Sequence, residues 1–226
     1  MIGYYNLSVI LTYFGLCTAV FGMTMALTGD VKIALLCLMV CGMCDMFDGA
    51  IARKCKRTDD EKSFGIQIDS LCDLVCFGVF PAMLGYGIKN IEVNYFDMFA
   101  SALFVLAAII RLGYFNVQEI NRTAKTNERR EYYEGLPVTS VSLLLPLFFL
   151  MDLYIEPLVT IKVYSVALIL IAFAFVSKVK IKKPYMHTLI LVTFLGLAVF
   201  YLILKEGDNI LNATSTISYI LRPMLA

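Results

Sequence analysis

The chain has 226 residues, 60% of them hydrophobic and 16% charged, with a formal net charge of +1 and a mean hydropathy of +0.78. A water-soluble domain carries about 45–50% apolar and roughly 25% charged residues, so an excess of this size excludes an ordinary soluble core and calls for lipid around the chain. The near-neutral charge excludes a global field that would recruit nucleic acid, and any electrostatic argument has to be local.

Apolar runs near the ~20 residues needed to cross ~30 Å of hydrocarbon predict helices over 6–28, 32–54, 64–88, 95–118, 136–153, 158–177 and 185–204, with a weaker candidate over 209–224. No basic residue precedes the first run, which continues from Leu7 to Leu27. That is longer than the core of a removable signal, so it reads as a span. Gly29-Asp30, Glu92-Val93-Asn94 and Glu156-Pro157 punctuate the short turns. Basic residues sort by loop. Arg53, Lys54, Lys56, Arg57 and Lys62 follow helix 2; Arg122, Lys125, Arg129 and Arg130 follow helix 4; Lys178, Lys180, Lys182 and Lys183 follow helix 6. The positive-inside rule places these three loops and the N-terminus in the cytoplasm. The expected fold is an all-α polytopic membrane protein in the cytoplasmic membrane.

Seven cysteines lie at positions 17, 37, 41, 44, 55, 72 and 76, and Cys41 with Cys44 forms a C-x-x-C. The pair sits in an apolar run with no second pair, and the one histidine, His187, is remote. They read as small buried hydrophobes rather than as a zinc or redox site.

Helix 2 ends Cys44-Asp45-Met46-Phe47-Asp48-Gly49-Ala50-Ile51-Ala52-Arg53, and helix 3 begins Phe64-Gly65-Ile66-Gln67-Ile68-Asp69-Ser70-Leu71-Cys72-Asp73. Ionisable residues at mid-membrane cost about 2.5–3.5 kcal/mol each on insertion scales, so four aspartates should lie near the cytoplasmic ends, facing a polar cavity. Asp45 and Asp48 are spaced i, i+3 and Asp69 and Asp73 i, i+4, so each pair projects from one helical face. A short loop makes the two helices antiparallel neighbours whose acidic faces can meet. Four converging carboxylates repel strongly in low dielectric unless cations are bound. Oxygen ligands without histidine or thiolate favour Mg²⁺ or Mn²⁺, with Ca²⁺ also accommodated, over zinc. Gly49, Ala52 and Gly65 leave room for a ligand to approach the backbone, and Arg53 supplies a planar fork suited to phosphate. Metal, arginine and open backbone together describe a diphosphate site.

Asp45-x-x-Asp48-Gly49-x-x-Ala52-Arg53 followed by Gly65-x-x-x-Asp69-x-x-x-Asp73 resembles the signature of the CDP-alcohol phosphatidyltransferases at all eight of its fixed positions. Eleven residues separate Arg53 from Gly65, a few more than in most members, and Thr58-Asp59-Asp60-Glu61 reads as part of a longer cytoplasmic turn. Phe77-Gly78-x-x-Pro81, Arg111-Leu112-x-x-Phe115-Asn116-Val117 and Gly135-Leu136-Pro137 extend the similarity to the membrane-embedded phosphatidylserine synthases. Gly15 of helix 1 stands where an asparagine is expected.

The resemblance implies a six-helix catalytic membrane domain over 1–180 with one or two further C-terminal transmembrane helices over 181–226, usually a homodimer, with two metal ions per active site. It implies that Asp45, Asp48, Asp69 and Asp73 hold the ions and that Asp48, Gly49, Ala52, Arg53, Gly65 and Asp69 line the CDP pocket. Asp73 would take the proton of the serine hydroxyl. The implied substrates are CDP-diacylglycerol, whose lipid half stays in the bilayer, and L-serine; the products are phosphatidylserine and CMP. Arg111 and Asn116 are candidates for the acceptor or a substrate phosphate, although Arg111 also fits a snorkelling interfacial arginine. Gly135-Leu136-Pro137 shapes the start of helix 5, and Tyr132 and Tyr133 read as interfacial anchors.

Two alternatives differ in what they require. Another acceptor, such as glycerol phosphate, inositol phosphate or an archaeal lipid analogue, needs more cationic partners if it is phosphorylated. A cation transporter needs ionisable groups spread along a path through the bilayer, whereas these cluster at one end.

Overall fold

The computed structural model describes residues 3–5, 7–52, 55, 57–88, 94–125, 132–150, 157–182 and 191–205. Arg53 and the candidate helix over 209–224 lie outside these residues. Each of the seven expected spans contains helix: α1 (Leu7–Leu27), α2 (Val31–Ala52), α3 (Asp59–Asp73), α4 (Phe80–Ile88), α5 (Tyr95–Lys125), α6 (Val141–Leu150), α7 (Pro157–Val176) and α8 (Leu191–Lys205), with α3 and α4 forming one rod. Among the described residues three segments, Val9–Leu27, Asp59–Ile88 and Tyr95–Asn121, are long and apolar enough to cross a membrane. Bulky apolar side chains point outward along them, among them Phe14, Phe21, Phe99 and Ile110. That is the inverse of a soluble surface and is the expected face towards lipid.

Small residues set how closely the first two helices pack. Gly29, at φ +92°, closes α1, and the Asp30 side chain caps α2 by accepting from the Ile33 N–H at 3.0 Å. The hairpin is then antiparallel and tight. A Cβ on Gly15 would come 3.3 Å from Cβ of Cys44, and one on Gly22 would lie 2.7 Å from Cβ of Cys37. Small residues permit such approach between membrane helices.

The third rod begins five residues earlier than its hydropathy suggests. Thr58 and Glu61 form a capping box: the Glu61 N–H donates to Thr58 Oγ1 at 3.3 Å, and the Thr58 N–H donates to the Glu61 carboxylate at 2.8 Å. Thr58-Asp59-Asp60-Glu61 is therefore a cap and a first helical turn, not a loop, with three acids at the positive end of the helix dipole. Tyr4 packs edge-on against Phe64 with ring centroids 5.5 Å apart, laying the N-terminal segment over this turn. After Asp73 the backbone widens into a π turn, Leu74–Val79, in which the Phe80 N–H donates to the Val75 carbonyl five residues back. Pro81, which lacks an N–H and crowds the preceding turn, follows at once. Its carbonyl accepts a 2.6 Å hydrogen bond from the buried Tyr164 hydroxyl of α7.

The fourth rod, α5, runs seven residues past its expected end to Lys125. The extension holds Glu119, Asn121, Arg122, Thr123 and Lys125, mostly polar residues that a helix accommodates, so it continues the helix without continuing the apolar run. Gly135 takes φ +74° where its N–H donates to the Val179 carbonyl at 3.0 Å and the Leu136 N–H to the Ala174 carbonyl at 3.0 Å. The Gly135-Leu136-Pro137 segment thus fastens the entry to α6 onto the end of α7, through a short 3-10 turn, Val138–Ser140. Beside it two three-residue strands, β1 (Tyr132–Glu134) and β2 (Lys180–Lys182), pair antiparallel, Tyr133 opposite Ile181. The core is built around Phe77, Phe80, Phe104, Tyr164 and Phe175, all fully buried.

Candidate metal centre

The acidic residues sit where α2 and α3 pass each other. Asp45 faces Asp73 within hydrogen-bonding reach, and Asp48 faces Asp69. The partner's number falls along α3 as it rises along α2, which is the relation of antiparallel helices, and it brings both pairs into one cluster. One carboxylate oxygen from each of Asp45, Asp48 and Asp69 lies within 4.8 Å of the others. A magnesium-like ion with ~2.1 Å bonds holds neighbouring oxygens ~3 Å apart and opposed ones ~4.2 Å apart. The cluster therefore fits a hard divalent cation with little movement, and its donors are all oxygen. Asp73 stands just outside this group of three, one turn farther along α3.

Asp48 is the buried member, and α1 orients it. Thr12 Oγ1 donates to Asp48 Oδ2 at 2.9 Å, and the Gly49 backbone N–H also donates to the carboxylate. A carboxylate fixed this way presents its remaining lone pairs in a defined direction, and such outer hydrogen bonds tune ligation strongly. Helix 1 thus supplies a polar contact through Thr12, one turn from the Gly15 that stands where an asparagine was expected. Nothing in the hydropathy of α1 signals Thr12; its place three residues before Gly15, on the face that touches α2, is the one available clue.

Gly49 and Ala52 lie in the last turn of α2 and Gly65 in the first half of α3, all partly buried. Among the described residues the open backbone at Gly65 is approached by Arg57: a Cβ there would come 3.3 Å from its Nη1. Arg53 lies outside the described residues.

Arg111 and Asn116 approach from α5. Arg111 is buried, its guanidinium carbon 5.6 Å from the centre of the Phe115 ring, and it lies within electrostatic range of Asp45. It does not snorkel. Asn116 Oδ1 accepts from Ser70 Oγ at 2.9 Å, so the α3 turn between Asp69 and Asp73 is tied to α5. The thiols are free and mostly buried, with Cys41 Sγ donating to the Gly15 carbonyl at 3.3 Å. Among the described residues no group of three potential metal ligands contains a cysteine.

Residues 5–177 match the CDP-alcohol phosphatidyltransferase family. The archaetidylserine synthase of Methanothermobacter thermautotrophicus is 30% identical over 160 residues, which is 71% of this chain and 61% of that protein. A CDP-diacylglycerol–serine O-phosphatidyltransferase of Helicobacter pylori is 33% identical over 108 residues, 47% of this chain and 43% of that one. The corresponding protein of Saccharomyces cerevisiae is 38% identical over 108 residues, 46% and 37% of the two chains. The chain therefore spans less than two thirds of the length of each of these relatives. The family match takes in both acidic helices, the glycines beside them and the α5 residues Arg111 and Asn116. A chain that folds these residues into one oxygen-lined centre, and matches over more than half its length, belongs to the CDP-alcohol phosphatidyltransferase family.

Proposed function

We propose that this protein transfers the phosphatidyl group of CDP-diacylglycerol to the hydroxyl of L-serine, forming phosphatidylserine and CMP. The observation that carries the chemistry is the convergence of Asp45, Asp48 and Asp69 to within 4.8 Å beside Asp73. Serine as acceptor is supported by the names of the relatives and by Arg111, a buried cation within electrostatic range of Asp45 that would suit an amino-acid carboxylate. A phosphorylated acceptor would need more cationic groups than this cavity presents among the described residues.

Asp45, Asp48 and Asp69, with Asp73 closing the set, would hold two divalent cations, Mg²⁺ or Mn²⁺. Bound there, the ions neutralise charge on the diphosphate and on the departing phosphate. Gly49, Ala52 and Gly65 let the nucleotide lie against the helix backbones, with Arg53 as its phosphate fork. Arg111 orients the serine carboxylate, and the Ser70–Asn116 bond holds the α3 turn against α5. As the serine oxygen forms its bond to the phosphorus that carries diacylglycerol, the bond from that phosphorus to the bridging oxygen breaks. CMP leaves with the electron pair, and the hydroxyl proton passes to the Asp73 carboxylate, since an alcohol is a weak nucleophile until a base within hydrogen-bonding reach accepts its proton.

The same reading divides the chain into a catalytic membrane unit over 1–180 and a further C-terminal part over 181–226, which the extent of the family match supports. It also turns the site towards the cytoplasm. The pairing of β1 with β2 supports that orientation, because it joins two of the three basic loops at one end of the bundle. The deciding measurement uses purified protein with CDP-diacylglycerol, Mn²⁺ or Mg²⁺ and isotopically labelled serine. We expect labelled phosphatidylserine and stoichiometric CMP. No product with serine, but product with glycerol phosphate or inositol phosphate, would overturn the acceptor and leave the phosphatidyl transfer standing.

A further inference from the structure

We infer that Arg57 is a further nucleotide-positioning residue, placing its guanidinium on a phosphate of the bound cytidine nucleotide from the cytoplasmic side of the centre. This rests on the reading of the site as a CDP pocket and adds to it a residue outside the eight-position signature. Arg57 precedes the Thr58 cap in the segment that lengthens the turn between Arg53 and Gly65. It is half-buried, although arginines in short surface turns ordinarily extend into water. Its Nη1 lies where a Cβ on Gly65 would be only 3.3 Å away, so the fork rests on the bare backbone of α3.

Position along α3 gives the contact its meaning. Gly65 is one helical turn, ~6 Å, from Asp69. Side chains on a helix lean towards its N-terminus, so the Asp69 carboxylate inclines towards Gly65 and the Arg57 fork above it. An anion bridging metal and guanidinium would satisfy both charges, and the planar fork suits paired phosphate oxygens.

Of the three acids that follow the cap, Asp60 is exposed and the other two have partners other than Arg57. Asp59 pairs with Lys62 at 2.9 Å, and the Glu61 carboxylate accepts from the Thr58 backbone N–H. Among the described residues no carboxylate forms an ion pair with Arg57. A half-buried guanidinium over open backbone, beside a cluster built to attract an anionic ligand through cations, has the character of a binding group. The bland alternative is a packing role for the arginine stem at the start of α3.

The test measures CDP affinity by titration calorimetry on the full-length protein in Mn²⁺, and steady-state kinetics in CDP-diacylglycerol and in serine. Arg57→Ala should weaken CDP binding about tenfold or more, the scale of one charge-assisted hydrogen bond. It should raise KM for CDP-diacylglycerol by a similar factor while kcat and the KM for serine stay near wild type. Arg57→Lys, which keeps the charge and loses the fork, should recover part of the affinity. A merely structural role would predict equal losses in both substrates and no rescue by lysine, and that pattern would overturn the inference. Unchanged CDP affinity in Arg57→Ala would also overturn it, leaving the CDP pocket intact. Failure of the unaltered protein to bind CDP would overturn the pocket itself, and this inference with it.

Discussion

Thr12 is one of several hydroxyl residues in a mainly apolar helix, and its position gives it leverage over the whole centre. It is buried, and its hydrogen bond to Asp48 is the one described side-chain link from α1 to the carboxylates. Thr12→Val keeps the shape and removes the donor. We expect the apparent affinity for Mn²⁺ to fall about tenfold, the lower end of what outer hydrogen bonds to metal ligands contribute, and stability to fall by only about 0.5–1.5 kcal/mol. Metal titration followed by calorimetry measures the first; unchanged affinity would mean that Asp48 is oriented without Thr12. The contrast with the aspartates explains what a sequence can declare at this scale. Asp45, Asp48, Asp69 and Asp73 are legible because charge inside an apolar run is costly and because spacings of three and four assign a face. Thr12, Ser70 and Arg57 break no rule of composition or period. Their roles depend on which helices touch, and that is decided by contacts such as Gly15 on Cys44 and Gly65 under Arg57.

At the scale of elements, the apolar runs locate every rod, because burial in lipid imposes a length as well as a polarity. Their ends are less legible where helix outlasts hydrophobicity. The Thr58–Glu61 box carries α3 back into a polar stretch, and the polar tail of α5 carries it forward to Lys125. Both are local signals of capping and propensity that hydropathy does not weigh. The Gly135-Leu136-Pro137 segment shows the reverse case, a motif visible in the chain whose meaning is purely geometric. At φ +74°, with a Cβ that would sit 2.5 Å from the Phe175 carbonyl oxygen, position 135 admits only glycine without displacement. Gly135→Ala should destabilise the protein by about 1–3 kcal/mol, the range for a residue forced into such a conformation, visible as a lower melting temperature in detergent. An unshifted melting curve would mean that the junction of α6 with α7 bears little of the fold's stability.

For the whole molecule, the centre is both the chemical site and a fastening between α2 and α3, since facing carboxylates drive the helices apart when no cation lies between them. Saturating Mn²⁺ should therefore raise the melting temperature relative to protein stripped with a chelator. At a hundredfold excess over the dissociation constant the stabilisation is about 2.7 kcal/mol, and restoring the metal should restore it. No shift on chelation would separate the cluster from metal binding in the folded protein. The π turn bears on the same fastening. Nineteen residues separate Asp69 in the carboxylate cluster from Ile88 in the apolar core, and a uniform helix at ~3.6 residues per turn would leave them about 100° out of phase. The turn at Leu74–Val79 absorbs about one residue more than an α-helical turn of the same span, which brings the separation back to about five whole turns. One strip of a single rod can therefore carry carboxylates at one end and apolar packing at the other, while the rod's exposed side ends at Leu71, 60% exposed, and residues 72–88 are buried or partly buried by the helices around them.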